Sequence, residues 1–317
     1  MSGVRLPFDV SARRRRLLRA LVAGGIGGAG LAGVGSVARA TAAPASVPRR
    51  IVVLSWDLTE MLLSLGVTPV GIAAPAWYRS GSVEPPLPGG VVDVGLLFQP
   101  NYDLLFELRP DLFIVTPDHA SVRAQFERIA PTLTLGRYTT QPRYYETLCG
   151  EVLTLGARLG VSAAAQSLIA ATTQKIAQAR ASLDASAPAS GYREVYVAQA
   201  VDDRHLRVFG AGSMFDEMLL RLGIRNAGSA ITANRYGFAL VELERVAAAP
   251  DAQILWVGGI SPEASAGLAS SRVWQALPFS TPGRTADLPT ISPTGASISV
   301  QRFVSAVARV MPATRAT

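Results

Sequence analysis

Apolar runs at 51–54, 70–73 and 112–115 alternate along the chain with helical spacing of apolar positions at 58–65, 101–108 and 122–129, and a further strand is expected at 132–135. Strands that alternate with short helices predict a parallel sheet covered on both faces. The pattern then changes. Two helices are expected at 142–159 and 162–183, broken at Gly160, and the second would extend about 33 Å, the width of a small domain. A loop at 185–191, holding Pro188 and Gly191, leads to expected strands at 194–199, 206–209 and 253–257 and helices at 214–222, 241–248 and 296–310. The fold class predicted is α/β, with two related lobes of mostly parallel sheet joined by one long α-helix. The boundaries expected are 49–161 for the first lobe, 162–184 for the interlobe helix and 191–317 for the second lobe.

An internal echo supports the kinship of the lobes. Glu60-Met61-Leu62-Leu63-Ser64-Leu65-Gly66-Val67 recurs as Glu217-Met218-Leu219-Leu220-Arg221-Leu222-Gly223-Ile224. Each copy reads as the end of an amphipathic helix closed by a glycine in the left-handed region. Farther on in each half, Pro110-Asp111 and Pro250-Asp251 both precede an apolar run, as a helix stop before a buried strand would.

Charge is unevenly placed. The chain of 317 residues has a formal charge of +7, but the first forty positions hold seven arginines against Asp9, and from Thr41 onward 23 basic and 22 acidic residues nearly cancel. A near-neutral remainder excludes a nucleic-acid-wrapping surface. Arg14-Arg15-Arg16-Leu17-Leu18-Arg19 followed by a glycine-rich uncharged stretch to Ala38 has the layout of a twin-arginine export signal, expected over 1–42. No cysteine follows the apolar stretch, so a protein free in a periplasm is expected; Cys149, within an apolar helical pattern, reads as a buried thiol.

Several chemistries are missing from the sequence. His119 and His205 are the only histidines, no His, Cys and carboxylate cluster has metal-ligand spacing, and no nucleophile elbow, phosphate loop or dinucleotide fingerprint occurs. The stretch 210–214 is open to two readings, an anion-binding turn or a tight turn in which Ser213 caps a helix. Aromatic and polar residues gather instead in expected loops after strands: Trp56, then Trp77-Tyr78-Arg79, His119, and Asn234-Arg235-Tyr236. Loops at the carboxyl ends of parallel strands are where α/β proteins hold ligands.

The stretches Arg50 to Trp56, Glu84-Pro85-Pro86-Leu87-Pro88, Val92-Asp93-Val94-Gly95-Leu96, Trp274-Gln275-Ala276-Leu277-Pro278-Phe279 and Gly295-Ala296 resemble the periplasmic iron(III)-hydroxamate siderophore-binding proteins, the FhuD-like family of ABC-importer substrate-binding proteins. The resemblance runs from about Arg49 to the last helix. It implies a shallow interlobe cleft for a ferric siderophore, little hinge closure, no intrinsic cofactor, iron held by the siderophore and not by protein ligands, and no enzymatic activity. The ligand-binding residues it suggests, together with the loop reading, are Trp56, Trp77, Tyr78, Arg79, His119, Asn234 and Tyr236. It further implies that Glu60 and Glu217 dock against a membrane permease of the ABC importer, with the receptor a monomer. The pattern departs from the family at Leu97, where an arginine is expected, at His119, where a tyrosine is expected, and at Ser292 and Thr294, where aromatics are expected. Arg79 is expected to replace the cation missing at Leu97, and His119 to add pH dependence. Haem, a corrinoid or another metal chelate on the same scaffold, and an exported cofactor-containing enzyme, stay open as alternatives.

Overall fold

The computed structural model describes residues 47–81, 84–139, 143–189 and 191–312; the expected export segment lies outside them. The first lobe is built from β1 (Ile51–Val53), α1 (Trp56–Ser64), β2 (Gly71–Ile72), α2 (Pro75–Gly81), β3 (Val92–Asp93), α3 (Tyr102–Leu108), β4 (Leu112–Val115), α4 (Arg123–Phe126) and β5 (Thr132–Thr134). Its five strands are parallel and lie in the order β3-β2-β1-β4-β5. Both β1 and β4 are buried at every position, as expected for central strands covered on two faces. The aspartate of Pro110-Asp111 sets where β1 begins, because its carboxylate accepts the backbone N–H groups of Arg49 and Arg50 at 2.8 and 2.9 Å.

Next come α5 (Tyr144–Arg158) and α6 (Ser162–Ser186), the latter 25 residues and therefore about 37 Å long. The two helices meet closely at Gly156, where an added Cβ would lie 2.5 Å from the methyl of Ala165. The second lobe comprises β6 (Val195–Ala200), β7 (His205–Phe209), α7 (Met214–Leu222), β8 (Phe238–Glu242), β9 (Gln253–Val257), α8 (Pro262–Ser270), α9 (Arg272–Ala276), β10 (Thr285–Leu288) and α10 (Ser297–Val310). Its sheet runs β10-β9-β6-β7-β8, parallel from β10 to β6 and antiparallel from β6 to β8.

The echoed segments occupy equivalent places. Helices α1 and α7 each follow a strand, each is capped by a serine hydroxyl (Ser55 and Ser213), and each ends before a glycine at positive φ, Gly66 and Gly223. Ser213 is thus the helix cap. Likewise β4 and β9, which follow the two Pro-Asp pairs, lie parallel beside β1 and β6. Two local expectations fail. Residues 241–248, expected as a helix, divide between β8 and a 3-10 turn at Leu243–Ala248, because the free edge of β7 pairs with Val241 and its neighbours. Residues 77–79, expected in a loop, belong to α2.

One apolar core runs through both lobes. It includes Ile51 and Met61 from lobe one, Leu148 and Ile176 from α5 and α6, and Phe215, Val257 and Val304 from lobe two. Each such side chain contributes roughly 1.5–3 kcal/mol by burial, so separating the lobes would expose a large apolar surface. No described helix is long and apolar enough to cross a membrane.

Candidate ligand-binding cleft

In lobe one the strand order reverses between β1 and β4, and the crevice beyond their carboxyl ends is the place where doubly wound sheets hold ligands. A cavity of about 280 Å³ opens there. Its walls come from the residues after β1 (Ser55 to Leu58), after β3 (Leu97 and Phe98) and after β4 (Thr116 to Asp118), while lobe two adds Tyr236 and Thr294. Apolar surface dominates its lining.

Trp56 is the first residue of α1, held at the cleft by the Ser55 cap behind it. Its Nε1–H donates to the carbonyl of Ala73 at 2.9 Å, which fixes the indole plane. Trp77, 63% exposed on α2, lies against it with ring centroids 5.4 Å apart. Such a pair offers a broad apolar face at small entropic cost. Phe98, 52% exposed, faces the cleft from the loop after β3.

His119 stands behind Phe98, with ring centroids 4.9 Å apart, and is fully buried. Thr116 N–H donates to its Nδ1 at 3.2 Å, so the ring proton sits on Nε2 and donates to the Leu97 carbonyl at 2.9 Å. Burial holds its pKa below the ordinary value. A neutral imidazole thus ties the turn after β4 to the loop after β3. The expectation that His119 contacts ligand is corrected: it positions Leu97 and Phe98.

Tyr78 is corrected as well. Tyr78 is buried and its hydroxyl donates to the carbonyl of Pro85 at 2.7 Å. Neither Trp77 nor Arg79 lines the cavity itself; Trp77 rests on the lining residue Trp56, and Arg79, also exposed, lies about 200° farther round α2. Asn234 acts on its own loop: its side-chain oxygen accepts the backbone N–H of Tyr236 at 2.8 Å and so presents Tyr236, 39% exposed, to the cleft. Arg235 stacks on the Tyr236 ring at 4.8 Å and pairs with Asp118 at 2.7 Å, bridging lobe two to lobe one at the cleft mouth.

Asp57, which the sequence reading missed, lines the cleft from the first turn of α1. Its two carboxylate oxygens accept the hydroxyls of Ser292 at 2.7 Å and Thr294 at 2.6 Å, two of the four positions that depart from the family pattern. Desolvation raises its pKa, against the opposing pull of those hydroxyls. An acid in a first helical turn ordinarily reads as a dipole partner, which hides such a residue in the sequence.

The two glutamates at the head of the echo separate. Glu60 is fully buried: its Oε1 accepts Ser299 N–H at 2.9 Å and its Oε2 accepts the Ser299 hydroxyl at 2.6 Å. It is therefore not a surface for a permease, and that expectation is corrected. Glu217 pairs with Arg221 at 2.8 Å, accepts the N–H of Tyr145, and keeps 16% of its side chain exposed. Among the described residues no group of His, Cys, Asp and Glu is arranged to hold a metal ion.

Comparison with known proteins agrees with this architecture. The chain is 33% identical over 266 residues to the iron(3+)-hydroxamate-binding protein FhuD of Escherichia coli, covering 83% of this chain and 88% of that one. Among solved structures it is similar to the Vibrio cholerae siderophore-binding protein FhuD bound to Fe3+-Desferal, with a TM-score of 0.76, 24% identity, and coverage of 84% and 99%. The petrobactin-binding protein YclQ of Bacillus subtilis shares the fold with a TM-score of 0.67, 18% identity, and coverage of 83% and 92%. Residues 51–291 match the periplasmic binding protein family, and with this span and the identity to the E. coli protein the chain belongs to that family.

Proposed function

We propose that the chain is the substrate-binding protein of an ABC importer, that it takes a ferric siderophore of hydroxamate type into the interlobe cleft, and that it delivers this cargo to a membrane permease. The observation that carries the reading is the aromatic cleft formed by Trp56, Phe98 and Tyr236 at the strand switch point, with Trp77 resting on Trp56. A ferric trihydroxamate is compact, with apolar linkers around an oxygen-lined metal centre. Rings that are already held in place suit such a surface because little entropy is lost on binding. The shared core beneath the cleft opposes large lobe movements, in keeping with a receptor that accepts its cargo in a shallow site.

In this reading residues 1–42 direct export by the twin-arginine route, the mature chain works as a monomer in a periplasm, and the siderophore supplies every iron ligand. No catalytic step is assigned to it. Glu217, the more accessible of the two echoed glutamates, is the contact offered to the permease.

The exported protein, titrated with ferric Desferal while tryptophan fluorescence is followed, tests this reading. Saturable quenching at micromolar or lower concentration supports it. Quenching by haemin or a corrinoid alone would transfer the scaffold to another chelate, and quenching by none of them would remove the receptor function.

A further inference from the structure

An ion pair crosses the mouth of the cleft. Asp118 of lobe one and Tyr236 of lobe two both line the cavity, and Arg235 touches the two of them. Its Nη1 donates to Asp118 Oδ1 at 2.7 Å, its Nη2 donates to the Tyr236 hydroxyl at 2.5 Å, and its guanidinium lies over the Tyr236 ring at 4.8 Å. Both ends of this chain of contacts stand on braced turns. Asp118 belongs to the 3-10 turn Pro117–His119, whose His119 ring is bonded to Thr116 and to the Leu97 carbonyl. Arg235 and Tyr236 belong to the turn that leads into β8, closed by Asn234 N–H to the Phe238 carbonyl at 2.8 Å and Gly237 N–H to the Asn234 carbonyl at 2.9 Å. This turn rests on the cap of α7, since an added Cβ on Gly237 would lie 2.6 Å from the Cβ of Ser213.

Asn234 fixes the backbone of Tyr236, but the direction of the ring depends on two side-chain torsions that no backbone hydrogen bond sets. Arg235 engages both the face and the hydroxyl of that ring, and Asp118 holds Arg235 from the opposite lobe. We propose that Arg235 is a positioning residue for the cargo: anchored to Asp118, it locks Tyr236 against the bound ferric siderophore and slows its release. The inference rests on the receptor reading above. A ring oriented before binding costs less entropy to order, so the bridge acts on retention of the cargo and not on the encounter. The Arg235 and Asp118 side chains are 55% and 32% exposed, so their pairing is worth little to the fold. An exposed ion pair and a cation–π contact each amount to about two- to fivefold in an equilibrium constant.

Stopped-flow tryptophan fluorescence with ferric N-acetyl-Desferal separates association from dissociation. Its three deprotonated hydroxamates balance the charge of Fe(III), so a neutral ligand removes direct attraction to either charged side chain. Arg235→Ala and Asp118→Ala are each expected to raise the dissociation rate about fivefold, leave the association rate within about twofold and change the melting temperature little. The double variant is expected to release the ligand no faster than either single variant, because each change breaks the same bridge. Unchanged dissociation in both single variants, or a double variant whose increase is the product of the two, would overturn the positioning role while leaving the receptor reading intact; no binding by the wild-type protein would remove both. Should a variant fail to fold, the wild-type protein decides: release of the same neutral ligand is expected to quicken between about 50 mM and about 1 M salt, and a rate independent of salt would overturn the role.

Discussion

The carboxylate of Glu60, on the first helix of lobe one, accepts two hydrogen bonds from one residue of lobe two, the N–H and hydroxyl of Ser299 at 2.9 and 2.6 Å. Ser299 lies in the first turn of α10, whose capping position is Ala296 and so has no side-chain acceptor of its own. Glu60 supplies from the other lobe what that helix end lacks. An added Cβ on Gly295 would lie 2.0 Å from the Ser299 hydroxyl oxygen, and the Gly295 carbonyl accepts the hydroxyl of Tyr144 at 2.6 Å. The lobes are joined here by polar contacts as well as by the apolar core.

This geometry makes Glu60 a pH-dependent element of stability. Burial pushes its pKa up to about 7, above the unfolded value of 4.5. Between these values the folded protein holds a proton that the unfolded chain has lost, so the stability is complete below pH 4.5 and is lost as pH rises through about 7. The difference in unfolding free energy between Glu60→Gln and the wild type should therefore shift by on the order of 3 kcal/mol in favour of the variant between pH 4.5 and pH 8. Urea melts of both proteins at the two pH values measure it; a constant difference would contradict the assignment. The same burial predicts that charge reversal at Glu60 lowers folded yield and does not act selectively on transport.

The tryptophan pair should separate binding from folding. Trp77→Ala removes a mostly exposed ring and is expected to weaken ferric hydroxamate binding by about tenfold, while the melting temperature changes little. Arg79→Ala, on the other side of α2, is expected to leave affinity within about twofold. Calorimetric titration and thermal melts of both variants check this pair of outcomes.

His119→Ala leaves the Leu97 carbonyl and the Thr116 N–H without their ring partner and removes the support of Phe98. A loss of about 2–3 kcal/mol in stability is expected, together with weaker ligand binding through the displaced Phe98. Chemical denaturation and fluorescence titration of one preparation would show whether both change together.

Gly156→Ala places a methyl group 2.5 Å from that of Ala165. The expected cost is about 1–3 kcal/mol, because the axes of α5 and α6 must move apart in a packed core. Restoring space with Ala165→Gly in the same chain should recover part of the loss, which paired melts would measure.

Much of the architecture was legible in the sequence because it depends on local periodicity. Buried parallel strands such as Phe113 to Val115, and helices ending in Leu-Gly, declare themselves in the order of residues, and the echo at Glu60 and Glu217 marks two equivalent helices. Elements decided by distant partners did not. Val241 has apolar neighbours compatible with a helix, and the edge of β7 makes it a strand. The cleft was legible through its aromatics, Trp56 and Tyr236, but side-chain direction was not. Nothing local to Glu60 distinguishes a buried cap from a surface contact, and nothing local to Asp57 points to Ser292 and Thr294, more than two hundred residues away.

The most direct measurement is the position of iron in crystals of the protein grown with ferric Desferal, located by its anomalous scattering. The account predicts one iron site in the interlobe cleft, facing Trp56, Phe98 and Tyr236, with oxygen ligands from the siderophore alone. Iron held by protein side chains, or a ligand seated away from the strand switch point with the cleft unoccupied, would contradict it.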